Sequence, residues 1–176
     1  MEQTVVIKPK MNFTPSREGK KYFVKTFGCQ MNEHDSEKIA GMFELDGMTK
    51  ATLEDSADIM FINTCTIREN ADDRLYGTLG QLKKWKDEGI DRKLLVGGCA
   101  AQKDKELVRE RAPWVDVVIG THNLTNIINL LNQSEDWGPI TEIIDEIEDL
   151  PTDAPSIRES EHSAWLTIQI GCNNSC

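Results

Sequence analysis

Four short apolar runs, each followed by a more polar stretch, constrain the fold of this chain most strongly. The runs are KYFVKTF (21–27), DIMFINT (58–64), KLLVGG (93–98) and WVDVVIG (114–120). Strands of a parallel sheet covered on both faces are continuous apolar runs, and the helices that connect them carry one apolar face. The sequence therefore predicts an α/β fold, with an open, mainly parallel sheet flanked by helices.

The stretches between the runs show the apolar spacing of helices. A short helix is expected around 104–111, and longer helices follow the other three runs. Their apolar positions recur three and four residues apart, as one buried face of a helix requires. These positions are Ile39, Met42 and Phe43 in the first helix, Leu75, Leu79 and Leu82 in the second, and Ile127, Leu130 and Leu131 in the last.

The regular pattern stops after Gln133, where prolines and acids become frequent. Eight acids stand against one base, Arg158, between Pro139 and Glu161. The stretch ITEIIDEIE there either pairs as an edge strand or docks weakly, and SAWLTIQI (163–170) reads as one more strand. We therefore expect four parts: a flexible leader (1–20), the α/β domain (21–137), an acidic linker (138–161) and the start of a second domain (162–176).

Charge and hydropathy narrow the class of protein. The net charge of -10 argues against a general polyanion-binding surface. No apolar run approaches the roughly 18 residues of a membrane span, and the first residues lack the features of a secretory signal. We expect a cytoplasmic monomer without a membrane partner.

Three cysteines follow three of the predicted strands. Cys29, Cys65 and Cys99 are 36 and 34 residues apart, and each lies near the start of a helix. The carboxyl ends of parallel strands meet at one edge of a sheet, so we expect these thiols to converge there. Helix N-termini at that edge are expected to lower the thiol pKa values. The alternative is that each cysteine only fills space in the core.

The cysteine pattern bears on which metal such a site would hold. The total of five cysteines is odd and there is no export signal, which favours reduced thiols over disulfides. Structural zinc usually has four ligands, often paired as C-x-x-C, and no such pair is present. Three cysteines on an iron-sulfur cluster would leave one iron without a protein ligand. The C-x-x-x-C of Cys172 and Cys176 is a weak signal by itself.

Five stretches together resemble a known family. They are TFGCQMNEHDSE (26–37), NTCTIRENA (63–71), GGCAAQ (97–102), VIGT (118–121) and IQIGCNNSC (168–176). In this order they resemble the methylthiotransferases of the radical S-adenosylmethionine superfamily. The segment GCQMN is similar to the tRNA-modifying MiaB type, whereas relatives that modify a ribosomal protein more typically have GCPKN.

The resemblance implies two 4Fe-4S clusters and S-adenosylmethionine as cofactors. Cys29, Cys65 and Cys99 match the ligands of an auxiliary cluster. Cys172 and Cys176 match the first two ligands of the radical cluster, whose third ligand is expected three residues beyond Cys176. The family fold then implies that 162–176 begins a truncated radical barrel, and that the present chain alone is inactive.

The resemblance also implies the reaction. A methylthio group is inserted at C2 of a prenylated adenosine beside the anticodon of tRNA, with a sulfur donor and an electron donor as further partners. No side-chain acid or base is expected to be catalytic, because the cofactors carry the difficult chemistry. A different RNA or protein substrate remains an alternative, as does a non-catalytic module that binds zinc or a structural cluster.

Four polar residues near the first two cysteines are candidates for contacts with the cofactors. Gln30, Asn32, Asn63 and Arg68 either hydrogen-bond cluster sulfur or contact S-adenosylmethionine. Two of them have an equally plausible structural role. Asn32 would cap a helix, and Arg68 would pair with a neighbouring acid.

Overall fold

The computed structural model describes residues 14–66, 71–145, 155–157 and 162–165. Within these ranges six strands form a single sheet. In chain order they are β1 (Lys21–Phe27), β2 (Thr49–Lys50), β3 (Ile59–Thr64), β4 (Lys93–Gly98), β5 (Val117–Ile119) and β6 (Ile140–Glu142).

Five α-helices and two single 3₁₀ turns connect the described strands. The 3₁₀ turns are Glu54–Ser56 and Leu124–Asn126. The helices are α1 (Gln30–Leu45), α2 (Ala71–Asp87), α3 (Cys99–Asp104), α4 (Leu107–Arg111) and α5 (Ile127–Trp137).

All strand pairs are parallel, in the order β2-β1-β3-β4-β5-β6. The predicted fold class is therefore confirmed. After β1 the chain moves to β2 on one side, and it then crosses to β3 on the other side of β1. This reversal makes the gap between β1 and β3 the switch point of the sheet, where open α/β folds bind their ligands.

The sheet separates two apolar layers. Alternate residues of a strand face opposite sides, and accordingly Phe61 packs with α1 and α5, while Met60 and Ile62 pack with α2 and α4. The predicted apolar faces of the three long helices are all buried. Both faces of the central strands are thus covered, which is why their sequences are apolar without alternation.

The structure differs from the sequence expectation between Cys99 and Arg111. A single helix was expected around 104–111, but α3 begins at Cys99 itself and ends before Lys105. Lys105 has a φ of +48°, which interrupts the helix. The cysteine is consequently the first residue of a helix and not part of a preceding loop.

The acidic linker contributes to the sheet. Residues of β6, within the ITEIIDEIE stretch, pair with β5 in parallel, so the edge-strand alternative is confirmed. The predicted strand 163–170 lies mostly outside the described residues. No helix in the described ranges has the length and apolar character needed to cross a membrane.

Part of the segment assigned to the leader is packed against the domain. Arg17 is only 7% exposed and pairs with the fully buried Asp46, with 2.6 Å between Nη1 and Oδ2. Arg17 also donates to Asn132 at 2.6 Å and pairs with Glu135 at 3.0 Å. These contacts join the chain before β1 to the ends of α1 and α5.

Candidate metal centre

One row of residues across the sheet places the three cysteine loops side by side. Phe27, Thr64 and Gly98 are register partners on β1, β3 and β4. A cysteine follows each of them one or two residues later. Because neighbouring strands are about 4.8 Å apart, the three loops start within roughly 10 Å of one another. The structure thus brings the three predicted thiols to one edge of the sheet, while their role as ligands stays a prediction.

Cys29 and Cys65 flank the switch point of the sheet. Cys29 immediately precedes α1, and Cys65 follows β3. The Cys65 amide donates to the carbonyl oxygen of Phe27 at 2.9 Å, so the end of β3 is tied to the end of β1. Cys65 is 1% exposed, whereas Cys29 is half-buried. The two thiols therefore differ in solvent access although their loops are adjacent.

Cys99 is positioned by a sharp turn at Gly98. Gly98 has a φ of +92°, which a residue with a side chain rarely adopts. A Cβ atom there would also lie 2.3 Å from Asn63 Oδ1 and 2.5 Å from the Thr64 carbonyl oxygen. Glycine is thus required both by the backbone angle and by the contact with β3. The turn places the half-buried Cys99 beside the other two loops.

Two asparagines join the first two cysteine loops. Asn32 and Asn63 are each 1% exposed. Asn32 Nδ2 donates to Asn63 Oδ1 at 2.9 Å, and Asn63 Nδ2 donates to the Asn32 carbonyl oxygen at 2.7 Å and to Ser36 Oγ at 2.9 Å. Because both side chains are bonded within the protein, we interpret them as residues that fix the loops.

Asn32 also contacts Cys29 directly. Its Oδ1 accepts a hydrogen bond from the Cys29 amide at 3.3 Å and lies 3.5 Å from Cys29 Sγ. The N-cap of α1 is therefore Cys29 and not Asn32, which completes the capping box from the third helical position. The contact with Sγ gives the same side chain a position next to the thiol.

Burial and the neighbouring thiols act on Cys99. Burial raises the pKa of the Cys99 thiol, and the negative charges of Cys65, Cys29 and Asp35 raise it further. The expectation that helix N-termini lower the pKa is wrong for this thiol. Three thiolates in one place repel each other, so their joint ionisation requires a cation between them.

The donor groups that the three loops offer are thiols. Sulfur ligands select zinc, copper(I) and iron-sulfur clusters. The described ranges contain no group of three His, Cys, Asp or Glu side chains that could hold a metal ion. A single zinc ion would hold its sulfurs about 3.8 Å apart, given Zn–S bonds of about 2.3 Å. In a cluster each thiolate binds a different iron, so the sulfurs stand farther apart.

The remaining candidates divide by position. Gln30 is exposed at the first turn of α1, on the rim of the site. Arg68 lies outside the described residues, as do Cys172 and Cys176. The roles of these three residues stay predictions.

Sequence reasoning missed Ser36 and Asp35. Ser36 accepts from Asn63 and is 2.8 Å from Thr26 Oγ1, which extends the polar network to β1. Asp35 is half-buried, and burial raises its pKa to about 6. Asp35 and Ser36 lie three and four residues after Asn32. This helical spacing places them beside Asn32, and it is the sequence signal that could have identified them.

The fold and the site define an α/β domain that presents three thiols at the carboxyl edge of a parallel sheet, two of them flanking its switch point. Residues 21–120, more than half of the chain, match the model of the Uncharacterized protein family UPF0004, and the chain belongs to that family. The matched region runs from the start of β1 to the residue after β5, and so it contains all three cysteines.

Curated relatives extend the likeness over the whole chain. A tRNA-2-methylthio-N(6)-dimethylallyladenosine synthase of Corynebacterium jeikeium is 48% identical over 100% of the chain, which covers 34% of that protein. Synthases of the same name from Tropheryma whipplei and Mycobacterium bovis are 52% and 49% identical over 88% of the chain. The chain spans about a third of the length of these relatives. The predicted resemblance to the MiaB-type methylthiotransferases is confirmed.

Proposed function

We propose that this chain is the auxiliary-cluster domain of a tRNA methylthiotransferase. Cys29, Cys65 and Cys99 would hold one 4Fe-4S cluster whose remaining iron has no ligand from the described residues. The observation that carries the proposal is the row of Phe27, Thr64 and Gly98, from which all three cysteine loops emerge at the carboxyl edge of the sheet. Homology to enzymes named tRNA-2-methylthio-N(6)-dimethylallyladenosine synthase supports tRNA as the substrate class.

The described residues would prepare the site before any cofactor binds. Asn32 and Asn63 hold two loops together through neutral hydrogen bonds, and the turn at Gly98 sets the third. Such preorganisation reduces the entropy lost when three separate loops bind one cluster. Burial of Cys65 limits the access of water and oxidants to one of the ligands.

The rest of the reaction is assigned by analogy with the relatives. Cys172 and Cys176 would supply ligands of a second 4Fe-4S cluster that binds S-adenosylmethionine. When bound, these cofactors supply the sulfur, the methyl group and the radical chemistry that methylthiolate C2 of a prenylated adenosine beside the anticodon. A sulfur donor and an electron donor are the further partners, and the compartment is the cytoplasm.

Anaerobic reconstitution with iron and sulfide tests the cluster site. In a Cys172→Ser/Cys176→Ser background only the three clustered thiols remain, and we expect about four irons per chain. Replacing any one of Cys29, Cys65 or Cys99 by alanine should remove most of the iron, because a cluster with two protein ligands is poorly held. Iron and sulfide content, together with the visible absorption of the brown protein, give the readout.

The same preparation distinguishes the alternatives. One colourless zinc per chain, bound in preference to iron and sulfide, would favour the non-catalytic module. Unchanged iron content after loss of Cys99 would exclude the three-cysteine site.

A chimera tests the reaction. The chain would replace the matching third of the Corynebacterium jeikeium relative, and tRNA nucleosides would be analysed by mass spectrometry. We expect methylthiolated adenosine from the wild-type chimera and none from its Cys29→Ala variant. Product from both would contradict the role of the auxiliary site.

A further inference from the structure

Gly41 is a buried glycine on the face of α1 that points away from the sheet. Successive helical residues are rotated by about 100°, so Glu37 and Gly41 share a face roughly opposite Ile39 and Phe43, which belong to the core. A residue on that face would normally be exposed. Because Gly41 is buried, something other than the sheet covers it.

The cover is the linker segment 155–157. The Ile157 amide donates to the carbonyl oxygen of Glu37 at 3.0 Å. A Cβ atom on Gly41 would lie 2.5 Å from the Pro155 carbonyl oxygen and 2.9 Å from the Ser156 amide nitrogen. Such distances are too short for a side chain against backbone, so only glycine allows this approach.

Other helical glycines show that the arrangement at Gly41 is specific. Gly77 and Gly80 lie within α2, and a Cβ atom added to either meets no atom within 4 Å. Glycine is less favourable than alanine inside a helix. At Gly41 this cost has a structural reason, since a larger residue would displace the linker.

We propose that the Glu37–Gly41 face of α1 is a docking site for linker segment 155–157, and that this contact positions the chain beyond Ile157 relative to the cysteine edge. Gly41 lies about 18 Å along α1 from Cys29, at 1.5 Å per residue. Cys172 follows Ile157 by 15 residues, which limits its distance from the docking point to about 50 Å. Docking thus fixes one end of the stretch that leads to the second cysteine pair.

The catalytic consequence rests on the proposed function. If Cys172 and Cys176 belong to a second cofactor site, that site and the auxiliary site must act on one substrate. A linker fixed to α1 raises the effective concentration of the second site near the first. Gly41 and Ile157 are then positioning residues, which act through the linker.

Limited trypsin digestion tests the docking. Arg158 is the only lysine or arginine after Arg111 and directly follows Ile157. We expect Gly41→Ala to increase the rate of cleavage at Arg158 about tenfold, because cleavage follows the population of the released linker. Gly77→Ala is the matched control and should leave that rate unchanged.

A second pair of variants removes the hydrogen bond and leaves the helix untouched. Ile157→Pro lacks the amide that donates to Glu37 and should release the linker, whereas Ile157→Val keeps the donor and should not. Hydrogen exchange of peptides covering 155–157 provides an independent readout in all variants. Wild-type cleavage and exchange in both Gly41→Ala and Ile157→Pro would overturn the docking.

The chimera with the Corynebacterium jeikeium relative tests the positioning role. Gly41→Ala should lower the yield of methylthiolated adenosine severalfold without changing the iron content, and Gly77→Ala should change neither. Full product yield with a released linker would overturn this role. The trypsin comparison does not depend on iron, so failure of the docking and failure of the proposed cluster site are distinguishable.

Discussion

The two edges of the sheet are held together by different chemistry. At the carboxyl edge the cysteine loops are joined by the neutral amides of Asn32 and Asn63. At the opposite edge, ion pairs join the segments: Arg17 pairs with Asp46, and Asp116 accepts from Lys86 at 2.5 Å. In the part of the chain that the structure describes, an amide pair joins the cysteine loops and ion pairs join segments at the opposite edge.

The difference follows from what each edge has to tolerate. Burial raises the pKa of Cys99 at the cysteine edge, and the neighbouring thiols and the Asp35 carboxylate raise it further. Amides supply hydrogen bonds without adding charge. The opposite edge has no such restriction, and ion pairs there connect segments that are far apart in sequence.

The largest effect is expected from breaking the Arg17 and Asp46 pair. Arg17→Met would leave the fully buried Asp46 carboxylate without its cation, and removal of one partner of a buried pair costs about 3–5 kcal/mol of unfolding free energy. Urea denaturation measures the loss. At temperatures where the variant is folded, its iron content after reconstitution should equal that of the wild type.

A second substitution checks the cause. Adding Asp46→Asn to Arg17→Met removes the uncompensated charge and should restore part of the stability. A loss below about 1 kcal/mol in the single variant would mean that the pair is solvated. Reduced iron content in folded Arg17→Met would contradict the separation of the two edges, because a change at one edge would then affect metal binding at the other.

An intermediate effect is expected from Asn63→Ala at the cysteine edge. Ser36 Oγ and the Asn32 carbonyl oxygen lose their donor, and Asn32 Nδ2 loses one acceptor. Unsatisfied buried groups of this kind cost about 2–3 kcal/mol in total. Because the loops of Cys29 and Cys65 are no longer joined, iron should also be lost faster to a chelator.

Asn132→Ala at the opposite edge is the control for this variant. It removes the acceptor of an Arg17 hydrogen bond and should lower stability without changing iron release. Equal rates of iron release from both variants would show that the asparagine pair has no special relation to the thiols.

The central strands and the convergence of the cysteines were predictable from the sequence. Continuous apolar runs fix the parallel strands, and a cysteine one or two residues after a run must emerge at the carboxyl edge. KLLVGG shows this most clearly, since β4 is Lys93–Gly98 as predicted. β2, which has only two residues, carries no such periodic signal.

Contacts between distant segments were not predictable. Arg17 and Asp46 are 29 residues apart, and Gly41 meets Pro155 from a different part of the chain. Neither contact leaves a repeating pattern in the sequence. The pKa of Cys99 was predicted in the wrong direction for a related reason, because burial and neighbouring thiols depend on tertiary packing and outweigh the helix terminus.

The smallest effect concerns Asp35, the carboxylate that acts on Cys99. Burial raises the pKa of Asp35 from 3.8 to about 6, and Lys38 partly opposes this shift. An acid with a raised pKa in the folded state favours its protonated form. The contribution of Asp35 to the stability of the folded state is therefore fully present below the pKa that this acid has in the unfolded chain. That contribution is lost as the pH rises to about 6.

The variant Asp35→Asn tests the direction of this pH dependence of stability in the reduced, metal-free chain. Above about pH 6 the variant should be more stable than the wild type by at most about 3 kcal/mol, and the difference should approach zero near pH 4. Urea unfolding across this range gives the measurement. The rate of Cys99 alkylation at neutral pH should also rise, since a nearby negative charge is removed. A stability difference that does not vary with pH would mean that Asp35 affects stability through its packing and not through its charge. Negative charge would then not be unfavourable at the cysteine edge.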